Sequence, residues 1–189
     1  RRLHMMATLV LMAAVSCAGA EPIDLSDARI SATMGPNARR VADGKEMRLW
    51  SGTDADLSDH PANIFIELAE PATVGGIDVV TDDLKGYLRL TGLEVYAPVG
   101  DGWALLGSIG EDDLQWFEAD AETVADGGYE YHLVRFSLDL LPARVETLRL
   151  RVTDTARPDN AYPRIHELSL HTPEPGVDLT DLEPAPIEN

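Results

Sequence analysis

The run Leu148-Arg149-Leu150-Arg151-Val152 constrains this chain more than any other feature. Its strict alternation puts three aliphatic side chains on one face of an extended strand and two arginines on the other. Leu93-Glu94-Val95-Tyr96 repeats the pattern. Such a strand buries one face and needs a second layer to bury it against. Further short β-rich runs are bounded by turn residues: Ile64 to Leu68, Val74 to Val80, Thr91 to Ala97, Trp103 to Ser108, Tyr131 to Leu138, Glu146 to Thr153 and Ile165 to His171. Asp101-Gly102 and Asp126-Gly127-Gly128 mark hairpin turns. Few stretches hold a helical apolar period, and no repeat of about 20 to 50 residues is visible. The prediction is an all-β chain, a sandwich of seven or eight antiparallel strands.

A chain of 189 residues with 44% hydrophobic composition buries one core, and hardly two. The ends read differently from the middle. Arg1 and Arg2 precede an apolar run from Met5 to Val15 followed by small residues, the pattern of an export signal over residues 1–20. Two processing outcomes fit. Ala18-Gly19-Ala20 is a cleavage site before Glu21, whereas Ala14-Val15-Ser16-Cys17 resembles a bacterial lipobox that would place a lipid anchor on Cys17. Either outcome predicts an extracytoplasmic chain: secreted, periplasmic or lipid-anchored. Residues 21–172 are the predicted folded domain. Residues 173–189 carry Pro173, Pro175, Pro184 and Pro186 with five acids and no base, which predicts a disordered acidic tail.

Charge narrows the partners. The net charge of −18 repels a phosphate backbone and an anionic membrane surface alike, so no nucleic acid and no direct membrane insertion of the domain are expected. A single cysteine, Cys17, allows no intramolecular disulfide and no thiolate metal cluster. No His-Glu-x-x-His, no phosphate loop and no nucleophile elbow is present, so no enzyme is expected and no catalytic residue is assigned.

A series of elements in order then points to a family. Val41-Ala42-Asp43-Gly44 is followed by Trp50, and Ile66-Glu67-Leu68-Ala69 comes next. Tyr96, Asp101-Gly102 and Trp103 follow, then the strand from Arg144 to Val152, and Ile165-His166-Glu167-Leu168 closes the series. Together they resemble the discoidin, or coagulation factor 5/8 C-type, domain, which includes galactose-binding-like carbohydrate-binding modules. The resemblance implies a jelly-roll β-sandwich of about eight antiparallel strands, with ligand loops gathered at one end and a structural calcium beside them. Family members hold that ion with the aspartate of the Asp-Gly turn, a threonine hydroxyl, the glutamate of the last strand and backbone carbonyls. Asp43 and Glu167 match, but Arg48 stands at the threonine position, and a guanidinium cannot ligate a cation that requires oxygen donors. Two readings stay open: Arg48 takes the metal's place between Asp43 and Glu167, or it points to solvent while carbonyls still bind calcium.

Three loops are the candidate ligand end by the same resemblance. Ser51 to Asn63 carries Asp54, Asp56, Asp59 and His60, and is either a cation or sugar loop or a solvated acidic one; its match to an EF-hand is poor. Thr81 to Leu88 carries Asp82, Asp83, Lys85 and Tyr87, and Asp154 to Pro163 carries Arg157, Asn160 and Tyr162. Sugar sites pair an aromatic face with hydrogen-bonding groups, which makes His60, Tyr87, Arg157, Asn160 and Tyr162 the ligand candidates. Trp50 and Trp103 are expected as core anchors, and Trp116-Phe117 as an exposed contact or a flap. The expected function is a non-catalytic binding module for carbohydrate. The alternative is an interaction domain that docks a protein of the cell envelope.

Overall fold

Two long strands organise the chain, because each is long enough to run through both layers. The structure is a computed structural model that describes residues 20–45, 49–52, 57, 61–82, 90–110, 122–126, 129–155 and 163–185. In chain order the strands are β1 (Pro22–Ile23), β2 (Arg29–Ala32), β3 (Trp50–Ser51), β4 (Ala62–Asp82), β5 (Leu90–Val99), β6 (Gly102–Ile109), β7 (Glu122–Asp126), β8 (Tyr129–Thr155), β9 (Arg164–Ile165) and β10 (Glu167–His171). One short 3-10 turn, Ala38–Ala42, precedes Asp43. Residues 62–67 of β4 pair with 147–152 of β8, and residues 76–82 pair with 133–139. Register shifts separate the two halves, between Glu67 and Ala72 and between Val74 and Gly76. Pro71 and Pro142 fall in these irregular stretches, where a residue that cannot donate to the ladder is tolerated.

The bends turn one continuous ladder into two layers. The first contains β2, the early half of β4, the late half of β8, β5 and β6; the second contains β1, β10, the late half of β4, the early half of β8 and β7. All these pairings are antiparallel. Ile64, Ile66, Leu93, Val95, Leu148, Leu150 and Val152 from the first layer share one buried cluster with Ile77, Val79, Val134, Phe136, Leu168 and Leu170 from the second. This is the predicted β-sandwich.

The sequence reading divides β4 and β8 into two strands each, since side-chain alternation lapses at the bends while the backbone continues through them. It also takes Ile165 to His171 as one strand, whereas His166 interrupts it and turns fully inside. Trp103 is not a core anchor. Ala104 and Leu106 take the inward positions of β6, which leaves Trp103 on the outer face, half-buried, its ring centroid 6.1 Å from that of Phe65. Trp116-Phe117 lies outside the described residues.

Residues 173–185, part of the segment expected as a disordered tail, run back along the domain. Thr172 exchanges bonds with Glu21, its amide donating to the Glu21 carbonyl at 2.9 Å and its hydroxyl accepting from the Glu21 amide at 2.9 Å. The chain then turns at Gly176 (φ +85), Thr180 N donates to the Pro142 carbonyl at 2.7 Å, and Ala185 N donates to the Trp103 carbonyl at 2.8 Å. Leu182 packs against the core. The segment meets backbone acceptors that the fold leaves open: a carbonyl at the β8 bend and another on the outer edge of β6. Gly75 lets the strap lie close, since a Cβ there would collide with the backbone of Pro173.

Candidate functional site

The roots of the three candidate loops meet at one place. Trp50 pairs with Ile165 and Ser51 with Arg164, and Gly52 N donates to the Pro163 carbonyl at 2.9 Å. This ties the start of the first loop to the end of the third. Thr81 accepts the Leu90 amide on its hydroxyl at 3.3 Å and donates that hydroxyl to the Arg164 carbonyl at 2.8 Å. The second loop is thereby closed at both ends and joined to the same point. Leu90 also pairs with Thr155, where the third loop begins.

Beneath these roots lies a buried charged knot. His166 Nε2 is 2.7 Å from Asp82 Oδ2, both side chains are 0% exposed, and Arg164 Nη1 approaches the same oxygen at 3.4 Å. A carboxylate removed from water needs such partners, since burying it unpaired is prohibitive. Asp82 ends β4, Arg164 begins β9 and His166 precedes β10, so the knot holds three chain segments in one register. The sequence reading places Asp82 in the candidate loop Thr81 to Leu88 and His166 in a strand, and assigns Arg164 no role. Their one sequence signal is position, each lying within a few residues of a candidate loop.

His60, Tyr87, Arg157, Asn160 and Tyr162, the five ligand candidates, lie outside the described residues, as does Arg48. Asp43 and Glu167 are described, and they converge. The Lys45 amide donates to Asp43 Oδ1 at 3.1 Å and to Glu167 Oε2 at 3.2 Å, across a turn in which Gly44 adopts φ +70. These carboxylates border an open cleft of about 460 Å³ that Asp24 and Arg39 also line. The amide and then the hydroxyl of Ser26 hold the Asp24 carboxyl below its ordinary range. Calcium takes about six to eight oxygens. The described residues bring two carboxylates that share an N–H donor, and among them no group of three or more His, Cys, Asp or Glu side chains gathers for a metal. This donor set does not by itself make a calcium cage.

The bent sandwich, with the roots of three loops joined at one place, has the galactose-binding-like fold. Solved structures with this fold include the Clostridium perfringens module CpGH89CBM32-5 in complex with GalNAc-β-1,3-galactose, at 13% identity and TM-score 0.57, covering 79% of this chain and 99% of that one. The family 32 carbohydrate-binding module of C. perfringens NanJ, in complex with galactose, is 18% identical with TM-score 0.54, covering 80% and 98%. A larger C. perfringens ZmpB structure, which joins CBM32-1, CBM32-2 and M60 catalytic domains, matches at 14% identity and TM-score 0.54, covering 85% of this chain and 15% of that one. No protein-family model and no curated protein sequence matches this chain.

Proposed function

We propose that this chain is a non-catalytic, exported module that binds carbohydrate at its loop end. The observation that carries the reading is the meeting of three loop roots over the Asp82–His166–Arg164 knot. Solved modules of the same fold are complexes with galactose and with GalNAc-β-1,3-galactose. Tyr87 and Tyr162 supply aromatic faces for the C–H side of a sugar ring, while His60, Arg157 and Asn160 pair its hydroxyls. A rigid base lets such groups bind with little ordering cost. Export rests on the signal-like residues 1–20, with processing before Glu21 or at Cys17. Among the described residues no helix is long and apolar enough to cross a membrane.

A glycan array of galactosides probed with the mature chain tests the reading. Tyr162→Ala, Arg157→Ala and Asn160→Ala should each weaken the captured glycan by about 1 to 3 kcal/mol while leaving the melting temperature unchanged. Binding indifferent to all three variants would sink the loop site. Retrieval of an envelope protein in place of any glycan would favour the interaction module.

Arg48, in this reading, takes the place of the family calcium beside Asp43 and Glu167. Millimolar calcium should then leave the melting temperature unchanged in calorimetry, and a clear rise would show that the cation still binds.

A further inference from the structure

The outer face of the first layer carries a second arrangement of sugar-binding chemistry, anchored on Asn63 near the start of β4. Phe65 and Trp103 lie with ring centroids 6.1 Å apart at an interplanar angle of 50°, and the Arg149 guanidinium sits over the Trp103 ring, 5.6 Å from its centroid. Arg149 Nε donates to Asn63 Oδ1 at 2.7 Å. Asn63 is 8% exposed and is itself fixed, since its side-chain amide donates to the Pro61 carbonyl at 3.0 Å and its backbone amide to Thr33 Oγ1 at 3.0 Å. One edge of the guanidinium is therefore locked and one face is stacked.

The other edge is left over. Neighbouring Arg151 is neutralised by Glu94 at 3.0 Å, and Glu94 also accepts the Tyr96 hydroxyl at 2.8 Å. Arg149 has no carboxylate in ion-pair contact among the described residues, in a chain where Asp and Glu outnumber Lys and Arg by 33 to 15. Burial, and then the nearby Arg151 charge, push the Arg149 guanidinium below its ordinary range, while Tyr96 and Glu94 offset part of that shift. A stacked, Nε-anchored guanidinium keeps its Nη1 and Nη2 donors as a fork, the geometry that a carboxylate matches with two parallel hydrogen bonds.

We propose that Arg149, Trp103 and Phe65 form a second site on the sheet face that takes a short acidic saccharide, a sugar whose carboxylate pairs with the Arg149 fork while its ring lies on the aromatic pair. Charge complementarity selects the acid: an anion supplies the missing partner of Arg149, and a neutral sugar does not. The net charge of −18 opposes a long polyanion, so the fit is to one or two acidic rings. This site stands independently of the loop reading.

Calorimetric titration of the intact chain with digalacturonate, and with the neutral digalactoside as control, tests it. The acidic disaccharide should bind, and Arg149→Gln should weaken it about tenfold or more, the loss of a charge-assisted pair. Arg149→Lys keeps the stem and the charge but loses the fork, and should weaken binding by roughly severalfold with an unchanged melting temperature. Tyr162→Ala should leave digalacturonate binding intact. The proposal is overturned if digalacturonate does not bind the intact chain, if the folded lysine variant binds it as well as the parent, or if Tyr162→Ala abolishes it. Loss of neutral galactosides in Tyr162→Ala tests the loop site separately.

Discussion

Replacing Trp50 by alanine should cost about 3 to 5 kcal/mol of stability, the range for truncating a fully buried aromatic. Trp50 is 0% exposed, and its indole Nε1 donates to the Met34 carbonyl at 3.2 Å. The substitution leaves a cavity under the β3–β9 pair and an acceptor without its donor. Domains of this size are stable by only about 5 to 15 kcal/mol, so the variant would lose a large share of the total. Urea denaturation should show a lower midpoint with an unchanged slope. Trp50→Phe keeps most of the ring and should lose distinctly less. A loss below about 1 kcal/mol in Trp50→Ala would mean that the ring is not the core anchor its burial makes it.

Asp82→Ala should be comparably damaging, at about 3 kcal/mol or more, because it removes one partner of a buried ionic cluster. His166 loses its 2.7 Å contact in a fully buried position, and Arg164 loses its 3.4 Å one. Asp82→Asn retains an oxygen that accepts a hydrogen bond from His166 and should fall between the parent and the alanine variant. The effect should also be local. Amide exchange at Leu90, bonded to the adjacent Thr81 hydroxyl, should accelerate beyond what global destabilisation accounts for. Glycan binding at the loop end should weaken together with it. Wild-type exchange at Leu90 in a destabilised Asp82→Ala protein would separate the knot from the loop roots.

The strands were legible where one face is buried and the other wet. Leu148-Arg149-Leu150-Arg151-Val152 read correctly because period-two burial writes itself into residue type, whereas in Leu93-Glu94-Val95-Tyr96 the outward Tyr96 is itself buried. The short strands Pro22–Ile23, Arg29–Ala32, Trp50–Ser51 and Glu122–Asp126 were missed, because two to five residues are too few to display a period. The family motif singles out Asp43 and Glu167, and both accept the Lys45 amide in the structure. The Asp82–His166–Arg164 knot carried no such motif. A buried acid and an exposed acid look the same in one sequence, and this chain has 33 acidic residues.

The sequence by itself determined the layer architecture, since alternating strands with one apolar face have to be closed by a second sheet, and the order of family elements identified which sandwich it is. It also determined the excess of negative charge and the placing of aromatic and hydrogen-bonding groups in three segments between strands. Only the tertiary structure decided which polar residues became interior, which tryptophan faced outward, and where residues 173–185 lie. Those outcomes depend on partners distant along the chain: Asp82 meets His166 across 84 positions, Arg149 meets Asn63 across 86, and Thr180 bonds Pro142. Local pattern reports whether a side chain prefers water. It carries no record of the carbonyl, carboxylate or ring that another segment brings to meet it, and that contact decides whether burying the group is favourable.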